Sequence, residues 1–168
     1  MSNLYVYYSF SGRTQRLILE LAKQDPSAVV ARLEPVEPLV PPISTLRLLW
    51  WILKARRGWR VPIKPLEIPT QEFEGLVIGS PTWSGLPAGP VRSFLDRDLP
   101  SICFRQASYV IACRRSWKEN ARYLEERIGQ PMTGRVVPYE GGTIRSYVET
   151  WRNACRRPSD GNKETGFL

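Results

Sequence analysis

A short apolar run, Leu4 to Tyr8, leads into a loop of hydroxyl residues with one glycine, Ser9-Phe10-Ser11-Gly12-Arg13-Thr14, and then into a helical spacing, Leu17, Ile18, Leu21 and Ala22. An apolar run of this length bounded by turn residues reads as a buried strand, and the 3–4 spacing after it as an amphipathic helix. The next apolar run, Ala28 to Leu33, is again strand-like and rich in valine. Strand, helix, strand is the unit from which parallel sheets with helices on their faces are built. The loop itself joins a strand to a helix N-terminus, where the first N–H groups have no intrahelical acceptor and the dipole is positive. A phosphate suits such a place, held by backbone N–H groups and by the hydroxyls of Ser9, Ser11 and Thr14, with Gly12 letting the backbone turn tightly. The loop is neither the Gly-x-Gly-x-x-Gly fingerprint nor the Gly-Lys-Ser/Thr loop of NTPases. Taken alone, it also fits an ordinary strand-to-helix turn with Ser and Thr as caps.

The same alternation continues along the chain. The first helix is expected from about Arg13 to Gln24, stopped by Asp25-Pro26. Pro35 to Pro42 holds four prolines in eight residues, which excludes regular helix or central strand and predicts an extended connector. Leu76 to Gly79 is a third expected strand, leaving through Ser80-Pro81-Thr82-Trp83-Ser84-Gly85-Leu86-Pro87. The helix after it points Val91, Phe94 and Leu95 inward and ends before Pro100. Ser108 to Cys113 is a fourth strand, followed by the loop Arg114-Arg115-Ser116-Trp117 and a helix from about Lys118 to Ile128, stopped by Gly129. Arg135 to Tyr139 is a fifth strand, and Ile144, Val148, Trp151 and Cys155 share one face of a last helix. The expected architecture is α/β: a single doubly wound, five-stranded parallel sheet in the order 2-1-3-4-5. It occupies residues 1–157 with a basic apolar helical insertion at about 44–60, and a polar tail follows at 158–168. In such a sheet ligands bind beyond the carboxyl ends of the strands where the order reverses. The loops 9–14, 80–87 and 114–117 leave three adjacent strands there and converge on one site.

Composition narrows the chemistry. The 168 residues fit one domain with a full core, and they contain no histidine. That excludes Ser-His and Cys-His nucleophilic catalysis and the common histidine-containing metal sites, so the hard chemistry of an enzyme built on this chain would belong to a cofactor. Cys103, Cys113 and Cys155 form no Cys-x-x-Cys pair and read as cytosolic thiols, with Cys113 expected to be buried and structural. Met1-Ser2-Asn3 leads directly into the first strand without a signal pattern, and the apolar run from Leu46 to Leu53 is far too short to span a bilayer. A cytoplasmic protein is expected.

The formal net charge of +8 is concentrated in one place. Between Ser44 and Pro65 the chain carries Arg47, Lys54, Arg56, Arg57, Arg60 and Lys64 and no acid, around Leu46, Leu48, Leu49, Trp50, Trp51, Ile52 and Leu53. Ser44 or Thr45 caps a helix here that runs to Arg57 and closes at Gly58. Such a helix can lie half buried against the sheet with its basic side chains snorkelling. It can also dock on an anionic membrane surface, holding the protein peripherally at the inner face of a membrane. No nucleic-acid motif accompanies the charge, so a nucleic-acid partner is not expected.

At this point the chain resembles the flavodoxin family, in particular its flavodoxin-like FMN oxidoreductase branch. Tyr8-Ser9-Phe10-Ser11-Gly12-Arg13-Thr14 is similar to the family's phosphate loop, and Gly79-Ser80-Pro81-Thr82-Trp83-Ser84-Gly85 to its flavin loop. The continuation Pro87-Ala88-Gly89-Pro90-Val91-Arg92-Ser93-Phe94-Leu95 is like the branch as well. The resemblance spans roughly residues 3–155 and implies non-covalently bound FMN. It assigns Ser9, Ser11, Gly12, Arg13 and Thr14 to the phosphate, and Pro81, Thr82, Trp83, Ser84 and Gly85 to the isoalloxazine. An indole offers a flat face for stacking there. Arg114, Arg115, Ser116 and Trp117 are expected to border the ring, although that loop matches no family pattern. Two departures stand out. Arg13 occupies a position where the family commonly has Asn, and the chain is basic where many electron-carrier flavodoxins are acidic. Acidic proteins or anionic lipid therefore suit it better than basic partners. If Arg114 and Arg115 face the ring, their charge would make the flavin's potential less negative than in an acidic carrier.

The function implied is a redox protein passing electrons through bound flavin. It would act either as a carrier or as an oxidoreductase using a nicotinamide and an acceptor such as a quinone; nothing in the residues separates these. A flavodoxin-like binding or scaffold protein that has lost its flavin is the alternative.

Overall fold

The computed structural model describes residues 2–10, 12–39, 45–113 and 117–138. Its elements are β1 (Ser2–Tyr7), α1 (Arg13–Ala22), β2 (Val29–Arg32), α2 (Thr45–Arg56), β3 (Phe73–Trp83), β4 (Leu86–Pro87), α3 (Gly89–Arg97), a 3₁₀ turn (Leu99–Ser101), β5 (Phe104–Cys113), α4 (Lys118–Ile128) and β6 (Thr133–Pro138). The sheet order is β2-β1-β3-β5-β6, with the two-residue β4 folded back on β3. The five long-path strands pair in parallel throughout. They are the expected five strands in the expected 2-1-3-4-5 order, and β4 is the addition. The last predicted helix around Ile144–Cys155, Tyr139 of the fifth strand, and the polar tail lie outside the described residues.

Successive strand residues face opposite sides of the sheet, so each strand feeds two cores. Leu4, Val6 and Tyr8 join Leu76, Ile78 and Ile111 on one face, under Val91, Phe94 and Leu95 of α3 and Ala121 and Leu124 of α4. Tyr5 and Tyr7 join Val77, Val110 and Ala112 on the other, under Leu17, Ile18 and Leu21 of α1. The approach of α1 is tight. A Cβ on Gly79 would lie 2.7 Å from Ile18 Cγ1 and 2.8 Å from Tyr7 Cβ, so only glycine fits where β3 passes beneath the helix.

Two strands begin earlier than apolar continuity predicts. β3 starts at Phe73, in register with Ser2 of β1 and Phe104 of β5. Polar Glu74, Arg105 and Gln106 stay exposed there, and Arg105 pairs with Glu72 at 3.1 Å. At its other end β3 runs on to Trp83, into what the sequence places as a loop.

The insertion after β2 is gripped through its main chain. Pro35 bridges Ile63, Val36 N–H donates to Pro62 O at 2.9 Å, and Lys64 N–H donates to Glu34 O at 2.8 Å. α3 supplies the rest. Arg92 Nη1 donates to Ala55 O at 2.8 Å and Trp59 O at 3.5 Å, Ser93 Oγ to Val61 O at 2.6 Å, and Arg97 to Ile63 O at 2.7 Å and Lys64 O at 3.0 Å. The Arg92 side chain is wholly buried, with its guanidinium at the carboxyl end of α2, where the helix dipole favours a cation. Burial lowers its pKa from the ordinary arginine value, opposed by Tyr123, whose ring lies 5.9 Å from the guanidinium carbon. Asp96 adds ion pairs to Arg60 and to Arg127 of α4.

Candidate functional site

The strand order reverses between β1 and β3, and the loops leaving those two strands meet there. Tyr8 N–H donates to Gly79 O at 3.1 Å and Leu33 N–H to Tyr7 O at 2.8 Å, carrying the ladder to the edge of the site. Beyond Tyr8 the chain turns through Gly12, whose φ of 81° lies in the left-handed region and whose missing Cβ would meet nothing within 4 Å. α1 then begins at Arg13 with no side-chain cap and no acid in its first turn. The first N–H groups of a helix have no intrahelical acceptor, its dipole end is positive, and Gly12 has no side chain to cover them. Thr14 is buried in that turn. Ser9 is only 8% exposed, and its Oγ has no hydrogen-bond partner among the described residues. A buried hydroxyl without a partner costs about 1–3 kcal/mol, so a donor left idle beside the start of a helix fits an anionic oxygen. Among the phosphate-loop residues named from the sequence, Ser9, Gly12, Arg13 and Thr14 come together here; Ser11 lies outside the described residues.

The second loop is a hairpin. Parallel pairing of β3 ends at Gly79 with β1 and at Pro81 with β5. Thr82 and Trp83 then pair antiparallel with Pro87 and Leu86. The two residues between, Ser84 and Gly85, have φ of 52° and 90°, the double positive φ of a type I′ turn. Trp83 is thus the last strand residue, and it still projects past the carboxyl edge of the parallel sheet. Ser80 Oγ accepts from Ala88 N–H at 3.1 Å and donates to Pro81 O at 2.9 Å, closing the base of the hairpin.

Trp83 stands at the centre of an aromatic group that no local sequence pattern announces. Tyr8 and Phe10 of the first loop meet it edge-on at 5.7 and 6.5 Å between ring centroids. Trp51 of α2 lies at 5.8 Å and Trp59 at 6.1 Å, the latter within 28° of parallel. Each such pair adds about 0.5–1.5 kcal/mol beyond the area it buries, so Trp83 is held firmly. Burial pushes the Tyr8 phenol up to about 12, so it stays protonated at any physiological pH.

Thr82 has its own partners. Its Oγ1 accepts from Asn120 Nδ2 of α4 at 2.9 Å, and it also hydrogen-bonds Cys113 at the end of β5. Burial raises the Cys113 thiol above its ordinary value, with Thr82 opposing, and Cys113 is the buried thiol expected from its position. Asn120 was missed by sequence reasoning. Its signal was a polar residue on the inward stripe of α4, beside Ala121 and four before Leu124. Trp117 is partly buried against the main core at the start of α4. Arg114, Arg115 and Ser116 lie outside the described residues.

A scan against protein-family models matches nothing, and neither does a comparison with curated proteins. Solved structures do match. A flavoprotein from Lactobacillus acidophilus in complex with FMN superposes with a TM-score of 0.68 at 21% identity, over 90% of this chain and 98% of that one. The apo form of the flavoprotein from that organism gives 0.59 at 20% identity, over 89% and 96%. An NAD(P)H:quinone oxidoreductase from Methanothermobacter marburgensis gives 0.51 at 14% identity, over 92% and 98%. The chain has the flavodoxin-like fold. The candidate site lies at the switch point of that fold, where the start of α1 meets an aromatic hairpin.

Proposed function

We propose that this chain is an FMN-binding redox protein. The carrying observation is the buried Ser9 hydroxyl, without a partner among the described residues, beside the open Gly12 turn at the start of α1. Ser9, Gly12, Arg13 and Thr14 would hold the phosphate, and the 81–85 hairpin, with Trp83 braced from behind, would hold the ring. Similarity to the FMN-complexed flavoprotein supports the choice of flavin. Bound FMN supplies one- and two-electron chemistry; the protein orients the ring and excludes water from it. The reading covers a carrier or an NAD(P)H/quinone-type oxidoreductase, and a steady-state assay with NADH, NADPH and quinones separates them.

The finer reading places this work at an anionic membrane surface. Trp51 and Ala55 face inward, while Leu49, Trp50 and Leu53 are exposed, Trp50 by 54%, and Phe10 of the phosphate loop is exposed beside Trp51. Lys54 sits 5.2 Å over the Trp50 ring, and Arg56 and Arg57 are exposed nearby. A tryptophan flanked by cations suits the headgroup level of anionic lipid, as a peripheral contact. No helix among the described residues is long and apolar enough to cross a membrane.

The first experiment is the visible spectrum of the purified protein with mass analysis of what denaturation releases. Flavin bands and FMN support the reading. A colourless protein that takes up no FMN refutes it and leaves a flavodoxin-like binding shell. Flotation with phosphatidylglycerol-containing vesicles, against pure phosphatidylcholine and against the Trp50→Ala/Leu53→Ala variant, tests the membrane contact; recovery of wild type equal to that of the variant removes it.

A further inference from the structure

We infer that Asn120 Oδ1 is the acceptor for the imide N–H of the flavin ring, making Asn120 a ring-binding residue. The inference rests on the flavin reading of the site. Asn120 is wholly buried, its Nδ2 donates to Thr82 Oγ1 at 2.9 Å, and its Oδ1 has no partner among the described residues. The Thr82 hydroxyl fixes which way the amide points. Its oxygen accepts from Nδ2, the donor end of the amide, which holds the side chain in this orientation. The carbonyl end of Asn120 then faces away from Thr82 as a buried acceptor without a donor. Leaving such an oxygen idle is costly, and the cost is removed when a bound group brings an N–H.

The ring site is where that donor arrives. Thr82 lies in the hairpin beside Trp83, and α4 packs along the same hairpin, with Glu119 next to Gly85. Oxidised isoalloxazine has a single N–H, the imide between its two carbonyls, so one acceptor at the ring's edge both orients the ring and distinguishes it from rings without that proton. Asn120 would thereby do two things with one amide: brace the hairpin through Nδ2 and receive the ring through Oδ1.

The test pairs FMN with 3-methyl-FMN, which lacks the imide proton. Full-length protein freed of flavin is titrated with each by quenching of flavin fluorescence, for wild type, Asn120→Leu and Thr82→Val. One neutral hydrogen bond is expected to give wild type about a two- to tenfold preference for FMN. That preference should vanish in Asn120→Leu and shrink in Thr82→Val, where the amide loses the hydroxyl that sets its orientation. Equal binding of both flavins by wild type, or an unchanged preference in Asn120→Leu, overturns the assignment while leaving the flavin reading intact. Failure of wild type to bind either flavin overturns both. Should Asn120→Leu not fold, proton exchange at the imide of ¹⁵N-labelled FMN on wild type decides the matter. Protection supports the bond, and exchange as fast as in free FMN refutes it.

Discussion

Replacing Ser9 by alanine is expected to strengthen the empty protein and weaken the loaded one. The Ser9 hydroxyl is buried and has no partner among the described residues. Its removal therefore relieves a desolvation cost of about 1–3 kcal/mol without opening a cavity larger than an oxygen atom. A chain of 168 residues shifts its thermal midpoint by about 2–4 °C per kcal/mol. The flavin-free Ser9→Ala protein should accordingly melt about 2–12 °C above wild type. With FMN the sign reverses. A hydroxyl donating to a charged phosphate oxygen contributes about 1.5–3 kcal/mol, so affinity should fall by about 10- to 150-fold. The rise in midpoint that saturating FMN gives wild type should shrink in step. Thermal melts with and without FMN, together with a fluorescence titration, measure both halves. A flavin-free variant that melts below wild type would mean the hydroxyl already has a partner in the protein. Unchanged FMN affinity would mean the phosphate sits elsewhere; either result refutes the reasoning.

Three other substitutions follow from the geometry. Gly79→Ala drives a methyl against Ile18 and Tyr7, and overpacking of about 1–3 kcal/mol exceeds the 0.4–1 kcal/mol gained from a stiffer unfolded chain. The midpoint should fall, and a rise would show that α1 can move aside. Ser84→Asn places the side-chain-bearing residue best suited to positive φ before Gly85, so the midpoint should rise modestly; a fall would count against the type I′ turn. Burial pushes the Asp25 carboxyl up, but hydrogen bonds from Asn3, Ser27 and Tyr5 outweigh it and hold its pKa below the ordinary value. A folded pKa below the unfolded one contributes stability that is complete above about pH 4 and lost as pH falls through the folded pKa. The gap in denaturation midpoint between wild type and Asp25→Asn should therefore be widest at neutral pH and close in acid, and a gap that is constant with pH would sink the idea.

How much of this was legible in the sequence depends on whether the cause was local. The five parallel strands stand out because a strand buried on both faces, such as Leu4–Tyr8 or Ser108–Cys113, must be apolar nearly throughout. Strand starts at Phe73 and Phe104 were hidden because the sheet's amino edge is solvated and tolerates Glu74 and Arg105. The turn between β1 and α1 was legible from its hydroxyls, its glycine and its place before a helix. The hairpin was half legible: Ser84-Gly85 marks a turn, yet Pro81 and Pro87 argued against strand on either side of it. The packing of Trp51 and Trp59 on Trp83 was not legible, since it depends on where α2 comes to rest. Nor was the role of Asn120, which exists only because Thr82 arrives from another strand.

The way α3 holds the 55–64 segment has an evolutionary consequence. Arg92, Ser93 and Arg97 take hold of the carbonyls of residues 55, 59, 61, 63 and 64. A carbonyl is the same whatever side chain its residue bears. Substitutions at exposed Arg56, Arg57 and Pro62 can therefore accumulate without loosening the grip, which separates the selection acting on the outer surface from the selection acting on the fold. The domain can drift toward new partners at this corner while the site beneath it stays as it is.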